Sequence, residues 1–122
     1  MESVLIVDND ARAREFLADF FRYKKRQVAV CRNGQEAISS LKQKEYDLII
    51  TDMKTPRGSG KDILCFVKDH YPESLVIAMS AFASIENAVE AMQLGAFHYL
   101  IKPFSLDTME AIVDKADEHL RL

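Results

Sequence analysis

The sequence predicts an α/β fold, a doubly wound five-stranded parallel sheet flanked by five helices. Five short runs rich in β-branched and aromatic residues alternate with segments whose apolar residues recur at helical spacing. The first, third and fourth runs are apolar almost without interruption, as in parallel strands covered by helices on both faces. The length of 122 residues with 48% hydrophobic content suits a single packed core, hence one domain over residues 1–122.

The first strand is expected over Val4–Val7, in "VLIVDND". Asp10, just before "ARAREFLADFF", reads as the N-cap of a first helix with apolar positions Phe16, Leu17 and Phe20. Lys24-Lys25-Arg26 then reads as a solvated turn into a second strand, Gln27–Cys31. Asn33-Gly34 opens the second helix, which carries Ile38 and Leu41, and Asp47–Thr51 is the third strand. Gly58-Ser59-Gly60 precedes a third helix with Ile63, Leu64 and Val67, and Pro72 follows it. Leu75–Ser80 is the fourth strand. A fourth helix over Ser84–Leu94 carries Ile85, Ala88, Val89 and Met92, a face suited to the sheet and to a partner, and Gly95 sits where it should stop. The fifth strand, Phe97–Ile101, leads into "SLDTMEAIVDKADEHLRL", where Leu106, Met109, Ile112, Val113, Ala116 and Leu120 keep helical spacing. No glycine or proline caps this helix before Leu122, so it is expected to continue in a longer parent chain.

Composition excludes several function classes. The net charge of −3 and the 29% charged content offer no basic excess to attract nucleic acid or an anionic membrane. The apolar runs are strand-length, well short of the ~20 residues of a membrane span, and no basic region precedes the first of them. A cytoplasmic protein is expected. Cys31 and Cys65 lack any ligand or CxxC spacing and read as buried, reduced thiols. His70, His98 and His119 have no spaced partners and receive no role, and Met53, Met79 and Met92 read as core or boundary packing.

In an open parallel sheet, ligands bind beyond the carboxyl ends of the strands. The residues closing the strands are Asp8-Asn9-Asp10, then Asp52 in "TDMKTPRGSG", Ser80 in "AMSA", and Lys102-Pro103. Clustered carboxylates repel one another unless a cation intervenes, and oxygen ligands suit a hard ion such as Mg²⁺. Lysine adds a mobile positive charge and serine a hydrogen bond. A carboxylate oxygen in such company can attack phosphorus, which points to phosphoryl transfer onto an aspartate. A proline after Lys102 holds that lysine extended and aims it out of the strand end.

The motifs "VLIVDND", "DLIITDMKTPRGSG", "VIAMSA" and "GAFHYLIKPF" resemble, in order and along the whole chain, the receiver domains of bacterial two-component response regulators. The last motif is most similar to the nitrogen-regulatory, sigma-54-dependent activator group. The resemblance implies a flavodoxin-like receiver fold. It implies that Asp52 is the phosphoacceptor, served by a sensor histidine kinase or a small phosphodonor. Asp8, Asn9, Asp52 and the Lys54 backbone carbonyl would hold Mg²⁺, Ser80 and Lys102 would hold the phosphoryl oxygens, and Ser80 with Tyr99 would form the switch. Output would leave through the fourth helix, fifth strand and fifth helix, toward output domains, a downstream protein or a second copy in a homodimer. Enzymatic activity beyond assisting its own phosphorylation and dephosphorylation is not expected.

The chain departs from the family at Asn9, where a second carboxylate is usual, so Mg²⁺ is expected to bind more weakly than to an Asn9→Asp variant. The resemblance further implies that Lys54 and Phe82, each two residues beyond a site residue, influence attack by water on an acyl phosphate, Phe82 by shielding the phosphorus and the Lys54 ammonium by pairing with the phosphoryl oxygens, and a fairly long-lived phosphoryl group is expected. A degenerate receiver acting only as an interaction module, and a small flavodoxin-like enzyme or cofactor carrier, remain as alternatives. No glycine-rich phosphate loop and no catalytic His or Cys constellation supports the last.

Overall fold

The computed structural model describes residues 2–55, 59–82 and 84–121, without the side chain of residue 121. Pro56, Arg57 and Gly58 of the "TPRGSG" stretch, and Leu122, lie outside the described residues. The strands are β1 (Ser3–Val7), β2 (Gln27–Cys31), β3 (Leu48–Asp52), β4 (Leu75–Ser80) and β5 (His98–Ile101). The helices between and after them are α1 (Ala11–Tyr23), α2 (Gly34–Gln43), α3 (Gly60–His70), α4 (Ile85–Gln93) and α5 (Leu106–Arg121). All strand pairs are parallel, in the order β2-β1-β3-β4-β5.

Every residue of β1 and β4 is buried. Alternate strand residues feed two separate cores, as the two-residue period of a strand requires. Val4, Ile6, Leu48, Ile50, Ile77 and Met79 face α1 and α5, packing with Phe21, Met109 and Val113. Leu5, Val7, Ile49, Val76 and Ala78 face the opposite layer and pack with Ala37, Leu41, Ile63, Leu64 and Ala91. Burial of each large aliphatic side chain contributes about 1.5–3 kcal/mol, so the three central strands hold most of the cohesion.

The helix starts follow from their caps. Asp10 accepts a hydrogen bond from the Arg12 N–H, and Asn33 from Glu36. Ser59 and Asp62 form a reciprocal capping box, and Ser84 accepts from Asn87. Gly95 ends α4 at φ 104°, a left-handed conformation in which a side chain would be strained.

The structure corrects several sequence expectations. β3 begins one residue later than expected and includes Asp52, because the ladder with β4 continues to the Asp52–Met79 pair. Cys65 is exposed rather than buried, since it falls on the outer side of α3 opposite Ile63, Leu64 and Val67. Met92 is exposed as well. The apolar face of α4 meets the sheet only partly: Ala91 is its one fully buried residue, and Ile85, Val89 and Met92 point outward. Lys24 and Lys25 form an exposed turn, but Arg26 does not belong to it. Its guanidinium makes two 3.0 Å hydrogen bonds to Asp117, tying the entry of β2 to α5.

Candidate functional site

β1 and β3 are neighbours in the sheet, but the chain leaves β1 toward one edge and β3 toward the other. The loops beyond their carboxyl ends therefore diverge and open a crevice. Register places Val7 beside Thr51, Asp52 beside Met79 and Ser80 beside Ile101, so Asp8 and Asp52 leave the sheet at one level, with Ser80 one residue and Lys102 two residues further out along the same edge. Asp8, Asp52, Ser80 and Lys102 occupy the strand ends.

The Lys102 ammonium donates to Asp8 Oδ2 at 2.6 Å and to Asp52 Oδ2 at 2.9 Å. The other oxygen of each carboxylate accepts a backbone N–H. Asp10 N–H reaches Asp8 Oδ1 and Lys54 N–H reaches Asp52 Oδ1, both at 2.9 Å. Asp8 is only 1% exposed, a position no lone carboxylate would hold without such partners. Burial pulls the Lys102 pKa down, but the hydrogen bonds and charges of Asp8 and Asp52 outweigh it and the pKa lies above the ordinary lysine value. The Lys102–Pro103 peptide is cis, and the Lys102 N–H donates to the Ser80 carbonyl at 2.9 Å.

The buried Ser80 hydroxyl accepts from the Phe82 N–H at 3.0 Å. Phe82 itself is 71% exposed, and its ring lies 5.1 Å from the Lys54 ammonium. Tyr99 is half-buried, and its hydroxyl is buried with no hydrogen-bond partner among the described residues. The Tyr99 side chain also lines a cavity of about 140 Å³, with Ser80, Lys54, Met53, Asn87 and Glu90. Over this cavity Lys61 of α3 pairs with Glu90 of α4 at 3.1 Å. Gly60 sets the approach of α3 to the site, since a Cβ there would stand 2.7 Å from Met53 Cα.

Asp8, Asp52 and Lys102 thus form one cluster, with Ser80 joined to it through the backbone. Asn9 is exposed at its rim, and Asp10 caps α1. Two contributors escaped the sequence reading. Arg14 reaches back along α1 to donate to the Asp8 carbonyl at 2.8 Å and, longer, to that of Asn9 at 3.4 Å. Its place one turn beyond the Asp10 cap was the available signal, because helical side chains lean toward the N-terminus. The Lys61–Glu90 pair joins residues distant in sequence and left no local signal.

The donors suited to a hard divalent ion are all oxygens: the carboxylates of Asp8 and Asp52, the Asn9 amide and the Lys54 carbonyl. They fit Mg²⁺ in kind, with one negative charge fewer than three carboxylates would give. Among the described residues no three acidic, histidine or cysteine side chains converge as a metal-binding group.

Comparison with known proteins gives one consistent answer. A family model described as the response regulator receiver domain matches residues 4–114. The chain is 33% identical over 115 residues to the response regulator protein PilR of Pseudomonas aeruginosa, covering 94% of this chain and 26% of that protein. It is 33% identical over 122 residues to the DNA-binding transcriptional regulator NtrC of Proteus hauseri, covering 98% and 25%. The chain therefore spans about a quarter of the length of these relatives. Among solved structures, the beryllofluoride-activated NtrC4 receiver domain dimer superposes with a TM-score of 0.91 at 28% identity, covering 98% and 99% of the two chains. A response regulator receiver domain protein from Clostridium thermocellum superposes with a TM-score of 0.90 at 26% identity, covering 99% and 98%.

Proposed function

Because the chain belongs to the response regulator receiver domain family, we propose that it is a phosphorylation-activated signalling switch with Asp52 as phosphoacceptor. The observation that carries this reading is the Lys102 ammonium bridging Asp8 and Asp52 at the carboxyl edge of the sheet. An Asp52 carboxylate oxygen attacks the phosphorus of a histidine kinase phosphohistidine or of a small phosphodonor. The new O–P bond forms as the bond to the leaving nitrogen or oxygen breaks, and the leaving atom keeps the electron pair and takes up a proton. Lys102 neutralises charge on the transferred phosphoryl oxygens, and the Lys54 N–H holds the carboxylate in position. Asp8, Asn9, Asp52 and the Lys54 carbonyl would hold Mg²⁺, which when bound supplies further charge neutralisation to the phosphoryl oxygens.

The dianionic product draws Lys102 and the Ser80 hydroxyl inward. When Ser80 turns to the phosphoryl group the Phe82 N–H loses its acceptor, so the loop into α4 rearranges, and Tyr99 borders the cavity that Ser80 shapes. Output then leaves through α4, β5 and α5. Ile85, Val89 and Met92 share one face of α4, on the side away from the Glu90–Lys61 bridge, and Ile101 of the edge strand is exposed too. Output domains of a transcriptional activator, a downstream protein or a second copy of the chain would use this face. The beryllofluoride-activated NtrC4 receiver forms a dimer, which supports the homodimer among these.

We place the switch in the cytoplasm, with its phosphodonors; no described helix is long and apolar enough to cross a membrane. The neutral Asn9 favours one other reading, an interaction module that works unphosphorylated. Incubation with Mg²⁺ and phosphoramidate followed by intact-mass measurement separates the two. A gain of one phosphoryl group in the protein but not in Asp52→Ala supports the switch, and no gain in either supports the module.

A further inference from the structure

We propose that the Lys61–Glu90 ion pair is a latch that holds α4 in its unphosphorylated position, and that a phosphoryl group on Asp52 must release it. The inference rests on the phosphoacceptor reading above and deepens it by naming the contact that opposes the switch.

α4 has few anchors. Ala91 is its one buried residue, and just beyond its end the Lys68 stem passes over Gly95. To these the ion pair adds a 3.1 Å contact from α3. The Lys61 pKa is raised, first by its hydrogen bond to Glu90 and then by the charge of that carboxylate.

The two ends of the pair are not equivalent. Lys61 lies in the first turn of α3, whose start is fixed by the Ser59–Asp62 capping box and by the Gly60 N–H, which donates to the Met53 carbonyl at 3.2 Å. The missing Cβ of Gly60 lets that turn sit directly against Met53, the residue after Asp52. Glu90 lies on the sparsely anchored helix. The bridge therefore ties α4 to a fixed point beside the phosphoacceptor.

Its place decides what it resists. Lys61 and Glu90 line the same cavity as Ser80 and Tyr99, so the pair closes over the space that the switch residues share. When the Ser80 hydroxyl leaves the Phe82 N–H, the loop into α4 rearranges, and a displacement of α4 that carries Glu90 away from α3 costs the contact. An ion pair made in only one of two helix positions favours that position alone. It lowers the population competent to hold a phosphoryl group, and the apparent affinity for that group falls by the same factor. For a pair as exposed as this one the factor is about two- to fivefold.

The test is beryllofluoride affinity in the presence of Mg²⁺, read by amide chemical shifts. It is run on the chain as it stands, on Lys61→Met and Glu90→Gln, and on the double variant Lys61→Glu with Glu90→Lys, which restores the pair in reverse. Lys61→Met should bind beryllofluoride about two- to fivefold more tightly, although it removes a positive charge from the surroundings of an anionic ligand. Simple attraction of the anion by Lys61 predicts the opposite sign. Glu90→Gln should tighten binding similarly, and the double variant should return close to wild type. The gap between wild type and Lys61→Met should shrink at about 1 M salt, where the screening length falls to about 3 Å, whereas lost packing of the Lys61 stem would leave it unchanged. Binding by Lys61→Met that is unchanged or weaker, a salt-independent gap, or a double variant as tight as the single ones overturns the latch while leaving Asp52 as phosphoacceptor. Beryllofluoride binding to none of the proteins, together with no phosphoryl gain from phosphoramidate, overturns the phosphoacceptor reading and this inference with it.

Discussion

The Lys54 ammonium lies 5.1 Å from the centre of the Phe82 ring, which joins the loop after β3 to the loop after β4. The backbone N–H of each partner is bonded to a site side chain, Lys54 to Asp52 and Phe82 to Ser80. The pair therefore stands beside any acyl phosphate formed on Asp52. An exposed cation–π contact contributes about 0.5–1 kcal/mol, so Lys54→Ala or Phe82→Ala should shorten the phosphoryl lifetime by about two- to fivefold. The double variant should be little faster than either single one, because one contact is lost in each case. Loss of radiolabel from phosphorylated protein measures this, and a lifetime shortened by neither change would refute the shielding role.

Lys102 is the counter-ion of two carboxylates, and Lys102→Met should leave Asp8 and Asp52 facing one another. The expected loss of stability at neutral pH is roughly 2–3 kcal/mol, below that for a fully buried pair because Lys102 is 19% exposed. The pH dependence has a definite sign. Burial lowers the Lys102 pKa, the two aspartates raise it by more, and the net shift is upward. Its contribution is therefore full below the ordinary lysine value and disappears as pH climbs through the raised one. Denaturant unfolding of both proteins at neutral and strongly alkaline pH should show a gap that closes only at the alkaline end.

The positions of these charged groups were the legible part of the molecule. Asp8, Asp52, Ser80 and Lys102 each follow an apolar run, and a parallel sheet brings such positions to one edge whatever the details of the loops. What was not legible depends on neighbours far away in sequence. The α4 segment reads as amphipathic, but β5 is the last strand, so there is too little sheet beneath α4 to cover Ile85, Val89 and Met92. Arg26 sits in a run of three basic residues, and only the fold shows that Asp117, on the last helix, claims it.

Tyr99 should gain from losing its hydroxyl. A buried polar group without a partner costs about 1–3 kcal/mol, and the Tyr99 hydroxyl has none among the described residues. Tyr99→Phe is expected to stabilise the unphosphorylated protein by about 1 kcal/mol, a rise in Tm of roughly 4 °C for a domain of this size. Thermal unfolding followed by circular dichroism checks it; a lower Tm would mean that the hydroxyl is satisfied after all.

The two thiols should behave differently. Burial, and secondarily the charge of Glu36, push the Cys31 pKa up to about 11, while Cys65 is exposed. At pH 7.5 the Cys31 thiolate is negligible, so iodoacetamide should label the folded chain once, at Cys65. Peptide mapping should find Cys31 labelled only after denaturation, and equal labelling of both in the folded state would contradict the assigned packing.

The anchoring of α4 by a single buried residue gives the domain an uneven stiffness. α1 is held by Leu17, Ala18, Phe20 and Phe21, and lifting it would expose two phenylalanines, whereas lifting α4 exposes little more than the Ala91 methyl. Mechanical work done at the strand ends goes preferentially into the most compliant part of the shell. In this chain that part is the helix whose outer side carries Ile85, Val89 and Met92, so a small strain at Ser80 would appear as displacement of an adhesive surface.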